Sequence, residues 1–161
     1  MHPLIKRLRY LRSREALAAA VLPSVIVWKW WKIEGDISWS LRLGALSLLV
    51  YILVQGTLYW HLKLRSIERQ TPLPAYFRQL FRAFKWSNLI GMVSLALLLL
   101  ARDAVTDADT GWTIGLLIGA ALEQVNYYHY QLMYDTWSSL QHLRRNGQLR
   151  KAALATDLAR S

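Results

Sequence analysis

Apolar residues along this chain gather into four blocks, and within each block they surround the helix instead of marking one side of it. The blocks cover residues 15–31, 43–60, 86–101 and 111–132, the last continuing to about residue 145. A soluble amphipathic helix keeps a polar face, so this pattern predicts helices with apolar surroundings on every side. Crossing the hydrocarbon takes roughly 20 helical residues, within a range of about 17 to 25. Blocks of this size reach that length with their interfacial flanks. The predicted fold is all-α: a polytopic membrane protein with four transmembrane helices, forming one membrane domain over 1–161. Pro23 falls inside the first block and deprives the Ala19 carbonyl of its helical donor, which predicts a bend there.

Between the blocks the pattern turns amphipathic. In 1–14, Leu4, Ile5, Leu8 and Leu11 oppose Lys6, Arg7, Arg9 and Arg12. In 74–85, Tyr76, Phe77, Leu80, Phe81 and Phe84 oppose Arg78, Arg82 and Lys85. Both read as basic helices lying in the headgroups. After Asn146-Gly147 stops the fourth helix, residues 148–159 predict a short cytoplasmic helix. Its Leu149, Ala152, Ala153 and Leu158 are suited to folding back on the bundle.

The charge distribution orients this array. Residues 1–14 hold five Lys and Arg, residues 61–85 six and residues 136–161 five, leaving Lys29, Lys32, Arg42 and Arg102 for the other side. By the positive-inside rule both termini are then cytoplasmic. Trp28, Trp30, Trp31, Trp39 and Trp112 are expected to ring the outer interface, and Trp60, Trp86 and Trp137 the inner one. The net charge of +10 sits between apolar blocks and not on a soluble surface, which points to anionic lipid headgroups and away from nucleic acid. Brevity and charge bias suggest a bacterial inner membrane. Without cysteine there is no disulfide, thiolate metal site, iron–sulfur cluster or cysteine nucleophile.

Polar chemistry concentrates in 120–135, AALEQVNYYHYQLMYD. Counting back from Glu123 in steps of four gives Gly119, Gly115 and Gly111, a small-residue stripe that lets another helix approach closely. The expected neighbour is another span of this chain, with a second subunit as the alternative. Glu123 and Gln55 each lie twelve residues into their blocks, so they are expected at one depth and as partners, with Tyr51 one turn outward. An ionisable group within a span is a functional candidate by default. Asn88, Asn126, His129 and His61 extend the list into a polar vestibule open to the cytoplasm, closed outward by Leu97 to Leu100 and the glycine stripe.

His61 and His129, expected at one depth, suit bis-histidine haem ligation, but His129 lies roughly 120° around the helix from Glu123. No cofactor and no metal is expected. No nucleophile motif or phosphate loop accompanies Glu123, His129 and Asp135, the groups a lipid-modifying enzyme would use. The outer loop ARDAVTDADTG, with Asp103, Asp107 and Asp109, reads as a solvated turn. The leading expectation is a non-catalytic accessory or scaffold subunit that forms a homo-oligomer or joins a larger membrane complex. Arg78, Arg82, Lys85, Arg144 and Arg145 would contact the lipid or partner. The alternative is a small transporter or channel with Glu123 as its protonatable group, and a further alternative is a lipid-modifying membrane enzyme.

Overall fold

The computed structural model describes residues 3–32, 37–102, 105–132 and 149–160. They form five helices: α1 Pro3–Trp31, α2 Trp39–Glu68, α3 Phe77–Leu100, α4 Asp107–Tyr128 and α5 Ala153–Arg160. The fold is all-α, and α2 and α3 are long and apolar enough to cross a membrane.

Helix α2 is the central element. It packs on α1, α4 and α3, while α4 also meets α3 and α5. Its buried face runs through Leu41, Ala45, Leu49, Ile52, Gly56 and Tyr59, the three- and four-residue spacing of one helical side. At 30 residues it is about 45 Å long, longer than a hydrocarbon layer of about 30 Å is thick.

The helix stops in a Schellman closure: the Thr71 amide bonds to the Ser66 carbonyl and the Gln70 amide to the Ile67 carbonyl. This places Gln70 at φ 52°, the left-handed position that glycine normally takes. The chain then leaves through Thr71-Pro72-Leu73-Pro74, whose prolines cannot continue a helix.

Both amphipathic segments differ from the expectation of separate headgroup helices. Residues from 3 onward belong to the same continuous helix as the first apolar block. The 74–85 segment enters α3, and its apolar face turns inward. Phe77 and Phe81 are almost fully buried; their rings pack on each other at 4.8 Å and on Tyr59 at 6.3 and 6.2 Å. The aromatic stripe found a helical partner in α2, which satisfies it without a lipid surface.

Helix α4 also ends earlier than expected, at Tyr128. The Asn126 side chain accepts from the Leu132 amide, an alternative partner that short polar side chains offer the backbone. The returning C-terminal segment supplies the rest: Gln131 N donates to Arg150 O, and Ala152 N to His129 O. The expected continuation to residue 145, with Asp135, Trp137, Arg144 and Arg145, lies outside the described residues. In α5 the buried residue is Leu154, with Ala152 just before it, whereas Leu149 and Ala153 are exposed.

Candidate functional site

Near the middle of α2 and α3, three helices contribute a buried polar layer. Gln55 of α2 and Asn88 of α3 form a reciprocal amide pair, with Gln55 Nε2 donating to Asn88 Oδ1 at 2.8 Å and Asn88 Nδ2 to Gln55 Oε1 at 2.9 Å. Asn88 Nδ2 also donates to Gln124 Oε1 at 2.8 Å, and the Tyr128 hydroxyl to Gln55 Oε1 at 2.9 Å. Gln124 Nε2 reaches the Lys85 carbonyl at 3.3 Å. Four polar side chains thus satisfy one another where water is excluded, the condition for burying them at all.

Glu123 stands apart from this network. It accepts from Asn126 Nδ2 at 3.3 Å, and its expected partnership with Gln55 is replaced by the Gln55–Asn88 pair. The reason is azimuthal. Depth along α4 matches, but one residue turns a helix by about 100°, so Gln124 and Tyr128 face α2 and α3 while Glu123 and Tyr127 face the side of α1. There the Tyr127 hydroxyl donates to Glu15 Oε2 at 2.6 Å. Tyr51 is exposed and its hydroxyl pairs with Ser87 Oγ at 3.2 Å.

Glu15, Glu123, Asn126 and Tyr127 line a cavity of about 550 Å³ between α1, the C-terminal halves of α2 and α4, and α5. Its walls are mostly apolar, and basic side chains including Arg14, Lys63, Lys151 and Arg160 surround it. One wall is pinned by Asp157 of α5, which accepts from Lys63 at 2.6 and 2.8 Å and from the Tyr59 hydroxyl at 2.8 Å. His61 is half-buried and His129 exposed. Among the described residues no three His, Cys, Asp or Glu side chains converge on a metal position.

The opposite end is built around a second polar centre. Asp109, expected in a solvated turn, is 1% exposed. It binds Arg42 Nε at 2.5 Å, accepts from the Ser38 amide at 3.1 Å and from Thr106 Oγ1 at 2.9 Å, while its own amide donates back to Thr106 Oγ1. Asp109 thereby sits at the N-termini of both α2 and α4, where helix dipoles favour a negative charge. Burial pushes its carboxyl up, but the hydrogen bonds from Thr106, Ser38 and Arg42, with the Arg42 charge, outweigh that and hold it below the usual carboxylate value. Trp30, assigned to the outer ring, is fully buried; Trp112 packs edge-on at 5.5 Å and the Arg42 guanidinium lies 5.5 Å from its ring centre.

The glycine stripe divides. Gly119 lies in ordinary contact distance of Leu49, whereas among the described residues a Cβ at Gly111 or Gly115 would meet nothing within 4 Å. Among the described residues, the expected packing against another helix of the chain is found at Gly119 and not at Gly111 or Gly115.

Sequence reasoning did not single out Glu15 or Gln124, and it named Arg42 and Asp109 without pairing them. The available signals were a lone carboxylate opening the first apolar block, an amide beside Glu123, and one cation and one anion in the first turns of parallel blocks. Comparison with protein-family models, with curated proteins and with solved structures finds no match.

Proposed function

We propose that the chain is a four-span membrane protein crossing at 15–31, 43–60, 86–101 and 111–132, with both termini cytoplasmic, and that it acts as a non-catalytic module binding a partner from its basic inner face. The observation that carries this reading is the inside-out placement of polarity. Gln55, Asn88, Thr113 and Gln124 are buried between helices, while Val21, Val25, Ile90, Val93, Leu97, Ile118 and Leu122 are exposed. In water such a surface is an association liability; in lipid it is the expected outer face, with polar side chains joining helices inside.

The segregation of Lys and Arg supports the orientation, and the basic surround of the inner cavity supports binding on that side. The open space that the described residues leave beside Gly111 and Gly115 supports a second subunit as one neighbour. A transporter reading keeps one supporting observation: Glu123 shares the cavity with Glu15. On that reading, Glu123→Gln abolishes a pH-dependent flux in liposomes while the protein still folds.

The test of the main reading uses the absence of native cysteine. Single cysteines at Ser13 and Ala83 should react with an impermeant maleimide only from the cytoplasmic side, and one at Asp107 only from the outside. Labelling of all three from one side would remove the four-span topology. For binding, Arg78→Glu with Arg82→Glu should reduce the mass of the complex extracted from native membranes without lowering its Tm. An unchanged complex would remove the basic face from the interaction.

A further inference from the structure

The inner cavity combines three features that no single simple ligand class satisfies. Its walls are apolar, through Leu8, Leu11, Ala18, Leu53, Trp60 and Leu154. Arg14, Lys151 and Arg160 supply positive charge around it. Glu15 and Glu123 enter it with neutral hydrogen-bond partners, Tyr127 and Asn126, and among the described residues neither is in an ion pair. The two carboxylates are near enough for the charge of Glu123 to act on Glu15.

A purely anionic amphiphile would satisfy the walls and the cations but bring a second negative charge against that pair. A purely cationic one would meet the basic surround. We infer that the cavity holds the headgroup of a zwitterionic aminophospholipid, its ammonium on Glu15 and Glu123 and its phosphate on Arg14 and Lys151.

The placement of these groups suits a headgroup lying across the cleft. Arg14 is the sequence neighbour of Glu15. The Lys151 backbone pairs with that of Tyr130, two residues past the end of α4. A primary ammonium has three N–H donors to distribute between two carboxylates, and charge-assisted bonds of this type are the strong ones. Helix α1 packs chiefly on α2, and α4 on α2 and α3, so the cleft between α1 and α4 offers the acyl chains a lateral way out to the bilayer. Asp157, held by Lys63 and Tyr59, fixes α5 as the cavity's cytoplasmic wall.

The inference rests on the membrane reading, and its test is separable from the topology test because it is performed on purified full-length protein in detergent. Palmitoyl-oleoyl phosphatidylethanolamine, phosphatidylcholine and phosphatidylglycerol, sharing the same chains, are added at equal concentration and the retained lipid is read by native mass spectrometry. Phosphatidylethanolamine should be retained about tenfold over phosphatidylglycerol, the size expected of one charge-assisted interaction. It should also exceed phosphatidylcholine, whose methylated nitrogen has no N–H to donate.

Glu15→Gln with Glu123→Gln should bring the ratio to phosphatidylglycerol close to one. Leu11→Trp, which fills the cavity and leaves the carboxylates in place, should reduce retention of all three. Far-UV circular dichroism and Tm establish that each variant is folded, and the wild-type headgroup ratio needs no variant. Phosphatidylglycerol equal to or above phosphatidylethanolamine in the wild type would overturn the inference. So would no retained lipid, or a preference that both folded variants leave intact.

Discussion

Tyr127 reaches Glu15 because position 56 is glycine. The Tyr127 ring lies against the Gly56 backbone, where a Cβ would collide with the phenol oxygen, and from there its hydroxyl bonds to Glu15 at 2.6 Å. Gly56→Ala should displace Tyr127 and cost roughly 1–3 kcal/mol, as overpacking does in a filled core. Tyr127→Phe keeps the packing and loses about 1 kcal/mol, one hydrogen bond. Thermal unfolding in detergent should rank wild type, Tyr127→Phe and Gly56→Ala in falling order of Tm; an alanine variant as stable as wild type would refute the close contact.

Arg42 and Asp109 are each 2% exposed as side chains, so removing one leaves the other charged and buried. Asp109→Ala should therefore cost about 3–5 kcal/mol, whereas Asp109→Leu combined with Arg42→Met should recover most of the loss. A double variant no more stable than the single would show that the pair does more than compensate itself.

The same carboxyl gives a sign for pH dependence. Its folded value lies below the unfolded one, so its stabilisation is fully present above the unfolded carboxylate value of about 4 and disappears as pH falls through the lower folded value. Stability measured downward from pH 5 should fall in wild type more steeply than in the Asp109→Leu, Arg42→Met variant. Parallel profiles would assign the acid sensitivity to other groups.

Asn88 is the shared member of the amide network. Asn88→Leu leaves Gln55 and Gln124 short of partners in the interior, at roughly 1–3 kcal/mol for each unsatisfied group. Hydrogen exchange should show faster opening around Gln55 in α2 and Gln124 in α4, and protection equal to wild type would remove the network from the bundle's stability.

Gln70 carries a left-handed backbone conformation that costs a non-glycine residue roughly 1–2 kcal/mol. Gln70→Gly should raise stability by up to about 1 kcal/mol, the relief being partly offset by glycine's larger unfolded-state entropy. A lower Tm would mean that the Gln70 side chain contributes more than its backbone loses.

Much of the helical array was legible because it depends on local composition. Four apolar blocks and the turn at Thr71-Pro72-Leu73-Pro74 can be counted along the chain, and Gln55, Asn88 and Glu123 are recognisable as polar groups in apolar surroundings. Depth was legible too, since rise per residue is fixed. Rotation about the helix axis was harder: Glu123 and Gln124 are neighbours in sequence, and only the docking of α4 on α2 and α3 decides which of them enters the amide network.

The sequence by itself determined an all-helical chain, its apolar blocks and the segregation of its charge, because helix formation and hydropathy are properties of short stretches. Tertiary structure decided which polar groups meet. It joined Arg42 to Asp109, sixty-seven residues apart, and it brought Glu15 to Tyr127 across Gly56. It turned Phe77 and Phe81 onto Tyr59, and among the described residues it left open space beside Gly111 and Gly115. Each of these depends on helix rotation and interhelical approach, which are set by how side chains fill the space between helices and which no single stretch encodes.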